Sequence, residues 1–124
     1  MAEEYHVVNL KTLMLPTEQQ ESESLAAYLR VKGYKFTHVP NETGSDPAAR
    51  RRAIRMKRAG TSKGFPDYIV IVKDQLVFIE LKRSKGGRVS PEQREWLEAL
   101  SKTEAHCIIA RGAHEAIEYI ETLI

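Results

Sequence analysis

The pattern of apolar and polar residues along the chain predicts helices that alternate with strands. The predicted helices have apolar residues three and four positions apart. The predicted strands either alternate apolar and polar residues or are continuously apolar, and glycines and prolines bound them. Thr17 and Ser90 are each followed three residues later by a glutamine, the spacing of a capping box at a helix start. The predicted elements are a helix over 17–32, a strand over 34–39, a helix over 48–58, strands over 66–72 and 76–81, a helix over 90–100, a strand over 106–110 and a helix over 113–123.

This order of elements predicts an α/β fold. Residues 1–16 are expected to form an N-terminal arm or a short strand at Tyr5–Leu10, which gives the order (β)αβαββαβα and a mixed central sheet flanked by helices. Only Lys73-Asp74-Gln75 separates two β stretches, so these are expected to pair as a hairpin. The 124 residues are expected to form one domain, 1–124, with a sizeable core.

Composition narrows the class of protein. Hydrophobic residues make up 42% and charged residues 29%, the balance of an ordinary globular protein. No run approaches the roughly 18 consecutive apolar residues that span a bilayer. The N-terminus has no signal-peptide pattern, and the single cysteine, Cys107, has no internal partner for a disulfide. We therefore expect a cytoplasmic protein without a membrane partner.

The net charge of +2 conceals one strongly basic stretch. Residues 48–66 contain arginines and lysines and no acidic residue, whereas acidic residues outnumber basic ones from Glu92 onward. A stretch of one sign in an otherwise balanced chain indicates binding to a polyanion. Taken alone, it is equally typical of a solvated helix face.

The predicted hairpin brings two acidic residues together. Asp67 lies seven residues before Asp74 at the turn, and Glu80 lies six residues after it, so their carboxylates are expected to meet across adjacent strands within about a residue of register. Lys82 shares the face of Glu80, because side chains two apart on a strand point the same way. The three side chains should converge on one small patch.

Two adjacent carboxylates repel each other unless a cation neutralises them, and Mg²⁺ is commonly held by such a pair. A bound Mg²⁺ polarises a phosphate and lowers the pKa of a bound water, and Lys82 would orient or deprotonate that water or balance charge in the transition state. The implied reaction is hydrolysis of a phosphodiester. A glutamate and a lysine two apart on a strand are also typical of a surface ion pair, but the flanking Phe78, Ile79 and Leu81 are too apolar for a solvated edge strand.

The surrounding residues carry a family resemblance. Gly64-Phe65-Pro66-Asp67, followed after twelve residues by Glu80-Leu81-Lys82, resembles the PD-(D/E)xK nuclease signature. The continuation from Lys85 to Gln93, with Trp96 and Leu100, is similar to the VRR-NUC branch of that superfamily. The resemblance implies a nuclease core with a mixed sheet between helices. It also implies a phage or prophage origin, since small stand-alone members of this branch are common there.

The resemblance implies further site residues. A glutamate on the first helix completes the family's metal site, and Glu18 fits the family spacing better than Glu21, which is the reserve candidate. Gln93 is expected beside the active centre, as a cap on its own helix, or in both roles. Asn41 matches an asparagine common in the family, although a plain turn residue is favoured. The catalytic residues implied are Asp67, Glu80, Lys82 and Gln93, and the ligands of one or two Mg²⁺ or Mn²⁺ ions are Glu18, Asp67, Glu80 and the carbonyl of Leu81.

The implied activity is that of a metal-dependent DNA endonuclease. Kinship with small VRR-NUC proteins and archaeal junction-resolving enzymes suggests a homodimer that cuts branched DNA such as Holliday junctions. The alternatives are a less selective flap, duplex or restriction-like nuclease, a nuclease acting on RNA, and a non-catalytic DNA-binding module with this fold. The residues expected to contact DNA phosphates are Arg50, Arg51, Arg52, Arg55, Arg58, Lys63, Lys85 and Arg88.

Overall fold

The computed structural model describes residues 15–40 and 44–124, which contain four helices and four strands in the order αβαββαβα. The predicted order of these elements is confirmed, and their ends lie within two residues of the predicted ends. The strand suggested at Tyr5–Leu10 and the family-like Asn41 lie outside the described residues. The elements are α1 (Glu18–Lys32), β1 (Lys35–His38), α2 (Pro47–Arg58), β2 (Tyr68–Val72), β3 (Gln75–Lys82), α3 (Pro91–Ser101), β4 (His106–Arg111) and α4 (Ala113–Glu121).

The strands form one mixed sheet in the order β1-β2-β3-β4. β2 runs antiparallel to both β1 and β3, whereas β4 lies parallel to β3 and is reached through α3. Val72 pairs with Gln75, so the hairpin loop has two residues and is one residue shorter than predicted. Those two residues, Lys73 and Asp74, have φ of 49° and 66°, as a two-residue turn of type I′ requires.

One face of the sheet packs against α1 and α4 and forms the hydrophobic core. Apolar residues at alternate positions of β2 and β3 point to this face, because successive side chains of a strand alternate between its faces. Fully buried members include Leu25 and Leu29 of α1, Val70 of β2, Ile79 of β3 and Ile120 of α4. Glu80 and Lys82 of β3 point to the opposite face of the sheet, on the side of α3.

α2 is more exposed than the other helices. Asp46 caps its start by accepting a hydrogen bond from the backbone N–H of Ala49, which is the buried residue of this helix. Its arginines are exposed to solvent. Within residues 15–40 and 44–124, no helix is both long enough and apolar enough to cross a membrane.

Candidate active site

The hairpin register places the two predicted carboxylates side by side. Tyr68 pairs with Ile79, and the same register carried one residue further sets Asp67 opposite Glu80, as predicted. The side chains are withdrawn from solvent: Asp67 is 9% exposed, Glu80 1% and Lys82 8%. Charged residues are rarely buried to this degree without partners.

Each carboxylate is held by a specific donor. The backbone N–H of Leu81 donates to Asp67 Oδ2 at 2.8 Å, which ties this side chain across to β3. Glu80 Oε2 accepts from Gln93 Nε2 at 2.9 Å and lies 3.2 Å from Lys82 Nζ. Glu80 Oε1 is buried and has no hydrogen-bond partner among the described residues. A buried carboxylate oxygen without a partner is costly and suits a site for a cation.

Gln93 meets both expectations stated for it. Ser90 Oγ accepts from the backbone N–H of Gln93 and Gln93 Oε1 accepts from the backbone N–H of Ser90, so the capping box is formed. The same Oε1 accepts from Lys82 Nζ at 3.0 Å, while the amide nitrogen donates to Glu80. The start of α3 therefore bridges the acid and the lysine and sets their relative positions.

These two roles of Gln93 are separable by mutation. Ser90→Ala removes the side-chain acceptor of the cap, and we expect it to cost about 1 kcal/mol of stability without changing the cleavage rate. Gln93→Ala removes the other side-chain bond of the capping box together with the bridge to Glu80 and Lys82, and we expect a similar loss of stability with cleavage slowed roughly 10- to 100-fold. Chemical denaturation and single-turnover cleavage of the two variants give both quantities. Equal cleavage rates in the two variants would show that Gln93 is only a cap.

The contacts of residues 64–66, directly before Asp67, explain why a glycine, an aromatic residue and a proline occupy these positions. A Cβ on Gly64 would lie 2.5 Å from the carbonyl carbon of Glu92 and 2.6 Å from the backbone nitrogen of Gln93, so only glycine permits this approach to α3. Phe65 packs edge-on against Phe78 at 5.6 Å and against Trp96 at 5.0 Å between ring centroids. Pro66 is buried behind them. The segment therefore joins β2, β3 and α3 at the site.

The electrostatics of the site favour a bound cation. Burial and, to a smaller extent, the neighbouring Asp67 carboxylate raise the pKa of Glu80 from its ordinary value of 4.5 to about 7, against the opposing effect of Lys82. Without an additional positive charge, the Glu80 carboxyl is therefore only partly ionised near neutral pH. A divalent ion between Asp67 and Glu80 would remove the repulsion and satisfy the free oxygen of Glu80.

The two glutamates considered on α1 occupy different environments. Glu18 is exposed, although the bond from Arg83 Nε to the carbonyl of Pro16 places the start of α1 beside the end of β3. Among the described residues, no three His, Cys, Asp or Glu side chains form a group that could hold a metal, so Glu18 is not brought together with Asp67 and Glu80. Its role as a metal ligand stays a prediction.

Glu21 is buried and has a structural partner. Its Oε1 accepts from the backbone N–H of Ala113 at 2.9 Å, at the first residue of α4. Gly112 caps that helix and has no side chain to do this, so a carboxylate from α1 supplies the acceptor and also suits the positive end of the helix. This arrangement accounts for Glu21 without a metal.

The predicted DNA-contacting side chains are all exposed, those of α2 on one helix and the others on loops beside the site. Lys85 and Arg88 lie in the loop after β3, which packs against Lys82 through Gly87. Arg111 Nη1 donates to the carbonyl of Gly87 at 2.9 Å and holds this loop down. Arg111 was not among the predicted site residues, because no local pattern connects residues 24 apart on separate elements.

Comparisons with known proteins agree with this geometry. Residues 16–114 match the family model of the VRR-NUC domain, which includes every predicted catalytic residue. A solved structure described as a VRR_NUC domain protein superposes with a TM-score of 0.71 and is 22% identical, covering 88% of this chain and 88% of that one. That likeness shows a shared fold. No curated protein matches the sequence significantly.

Proposed function

The chain belongs to the VRR-NUC domain family, and we propose that it is a metal-dependent endonuclease that hydrolyses phosphodiester bonds of DNA. Family membership implies a nuclease-type module that acts on DNA. The observation that carries the proposal is the buried pair Asp67 and Glu80, with one carboxylate oxygen unpartnered and a lysine beside it. A non-catalytic module would not need to maintain so costly an arrangement.

The donor set fits Mg²⁺ or Mn²⁺. Asp67 Oδ1 and Glu80 Oε1 would be the carboxylate ligands, since the other oxygen of each already accepts a protein hydrogen bond. The carbonyl of Leu81 and an exposed Glu18 that moves inward are the further ligands proposed. When bound, the ion would polarise a phosphate oxygen and lower the pKa of a water molecule.

Lys82 and Gln93 act on the attacking water in this proposal. Lys82 Nζ is fixed between Glu80 Oε2 and Gln93 Oε1, so its third hydrogen is free to contact the water or the phosphate. The bond to Gln93 Oε1 holds the Lys82 ammonium between the two residues, so that it does not pair with Glu80 alone. This arrangement orients the nucleophile and offsets charge that develops on the phosphate oxygens.

The stability of the metal-free protein should fall as pH rises. The folded-state pKa of Glu80 is about 7 and its ordinary value is 4.5, so the cost of ionising Glu80 is absent below pH 4.5 and complete above pH 7. A shift of this size corresponds to about 3 kcal/mol.

We expect Mg²⁺ to raise the melting temperature at pH 8 and to have little effect at pH 5, because the ion binds the ionised carboxylates. Thermal melts with EDTA or Mg²⁺ at both pH values measure this, and no effect of Mg²⁺ at pH 8 would contradict the metal site.

For the substrate, we propose branched DNA such as Holliday junctions, cut by a homodimer. The exposed basic side chains of α2 and of the loop after β3 offer phosphate contacts without an evident base-reading element, which favours recognition of DNA shape over sequence. Two symmetric active sites would suit paired cuts at a junction. A less selective flap or duplex nuclease is the second candidate, since the same exposed arginines serve any DNA backbone.

The test is cleavage of labelled four-way junctions, flaps and plain duplex with Mg²⁺, Mn²⁺ or EDTA. We expect cutting only with a divalent ion and fastest cutting of the junction. Asp67→Asn is the inactive control, because the amide replaces one carboxylate with little change in volume. Cleavage in EDTA, or full activity of Asp67→Asn, would contradict the mechanism. Equal rates on all substrates would support the less selective nuclease.

A further inference from the structure

A cleft of about 630 Å³ lies between one side of α3 and a wall made by the last turn of α2 and the loop that follows it. Its volume is in the range of pockets that take small organic molecules. Lys57, Thr61, Ser62 and Lys63 form one wall, and the opposite wall is the side of α3 that carries Trp96. The cleft therefore combines two ammonium groups, two hydroxyls, two carboxylates and an indole.

The cleft is close to the catalytic residues along α3. Trp96 lies three residues after Gln93, so the two side chains are on the same side of the helix, about 4.5 Å apart along its axis. Gln93 itself contacts Glu80 and Lys82. A DNA strand whose phosphate lies at those residues would pass the mouth of the cleft with its neighbouring nucleotide.

We propose that this cleft binds an unpaired nucleotide of the DNA strand next to the scissile phosphate, with the base against Trp96 and its phosphate against Lys57 and Lys63. This inference rests on the proposed function and extends it to the substrate's local structure. Phe65 meets Trp96 edge-on, at 80° between ring planes, so it does not stack in parallel on the indole. Bases of any identity stack on aromatic side chains.

The charges of the two walls set the orientation of the nucleotide. None of the ion pairs formed within residues 15–40 and 44–124 uses Lys57 or Lys63, so both ammonium groups are available to phosphate. Glu92 and Glu95 line the helix side of the cleft. Their carboxylates repel a phosphate and accept hydrogen bonds from the exocyclic amino groups of bases. The phosphate is therefore directed to the lysine wall and the base to α3.

A cleft of this kind makes cleavage depend on local unpairing. A base in intact duplex must be unstacked before it can enter, whereas a base at a branch point, a mismatch or a single-stranded end enters at little cost. Selectivity for branched DNA would thus arise one nucleotide from the scissile bond, from whether that nucleotide is paired. The basic arginines of α2 would provide affinity for any DNA.

Trp96 is the single tryptophan of the chain and reports directly on the cleft. In EDTA, we expect a short oligodeoxycytidine to quench its fluorescence and an abasic oligomer of equal length and charge to bind about tenfold more weakly with little quenching. Lys57→Glu should weaken oligodeoxycytidine binding about tenfold or more. Lys73→Glu is the matched control, because Lys73 is exposed at the hairpin turn and does not line the cleft.

The outcomes separate this inference from the proposed function. Equal affinity and equal quenching by the two oligomers, with normal Mg²⁺-dependent cleavage of branched DNA, would overturn the cleft proposal and leave the nuclease intact. Base-dependent quenching by a protein that cuts no DNA with either metal would support the cleft as a nucleotide site and overturn the nuclease. Equal losses in Lys57→Glu and Lys73→Glu would also overturn the cleft proposal, because general charge would then explain the binding.

Discussion

Glu80→Gln is expected to lower the rate of Mg²⁺-dependent cleavage by about 10³-fold or more and, at the same time, to stabilise the metal-free protein. The rate falls because the amide cannot neutralise a divalent ion. The stability rises because the charge whose burial brings the pKa of Glu80 to about 7 is removed. At pH 8 in EDTA the gain should approach about 3 kcal/mol, the free energy equivalent of that pKa shift. Opposite signs for activity and stability are the signature of a residue kept for function.

Two measurements test this expectation. Urea denaturation at pH 5 and pH 8 in EDTA should show a much larger gain for Glu80→Gln at pH 8 than at pH 5, where Glu80 of the folded protein is protonated. Single-turnover cleavage gives the loss in rate. Glu98→Gln is the matched control, since Glu98 is exposed and its only described ion pair, with Lys102, is 4.0 Å long. If Glu80→Gln is instead less stable at pH 8, the buried Glu80 carboxylate does not destabilise the metal-free protein.

The core of the candidate site could be predicted because it is built from local structure. A short hairpin turn and the two-residue period of a strand are sufficient to set Asp67 opposite Glu80 within a residue and to place Lys82 beside it, although the turn is one residue shorter than predicted. The capping boxes at Thr17 and Ser90 are likewise local, and both are formed. Each of these features depends on residues close in sequence or joined through one short turn.

The contacts that could not be predicted join elements far apart in the chain. Glu21 caps α4 across 92 residues, and Arg111 holds Gly87 across 24. Such contacts depend on the packing angles between helices and the sheet, which no periodicity in the sequence encodes. The same holds for Glu18: the family spacing favours it over Glu21 as the metal ligand, yet it is exposed in the first turn of α1, whereas Glu21 is buried.

Gly64 is recognisable in the sequence as a motif residue, but the packing contact that requires a glycine there is not. The glycine belongs to the segment that resembles the family signature, but its neighbour is the backbone of Glu92 and Gln93 on α3. The approach is possible only because two conditions hold together, a φ of +89° and the lack of a Cβ. The position of Gln93, and through it of Lys82, therefore depends on a residue that touches neither substrate nor metal.

Gly64→Ala is expected to reduce both stability and cleavage strongly. The new Cβ would meet backbone atoms at 2.5 and 2.6 Å, and backbone cannot rotate away as a side chain can. Strain at positive φ costs about 1 kcal/mol, and the forced shift of α3 adds about 2–3 kcal/mol. A displacement of Gln93 by about 1 Å from Glu80 and Lys82 would slow cleavage about 10²-fold. Denaturation and single-turnover cleavage measure the two effects.

Gly60→Ala isolates the contribution of the clash. Gly60 has φ of +101°, so alanine there suffers the same backbone strain, but its Cβ would meet nothing within 4 Å. We expect this variant to lose about 1 kcal/mol of stability and to cleave DNA at the normal rate. If the two glycine variants lose equal stability and activity, then strain at positive φ explains both. If Gly64→Ala loses more activity than Gly60→Ala, with the difference mainly in the cleavage rate, then the close approach of Gly64 to α3 positions Gln93 and Lys82.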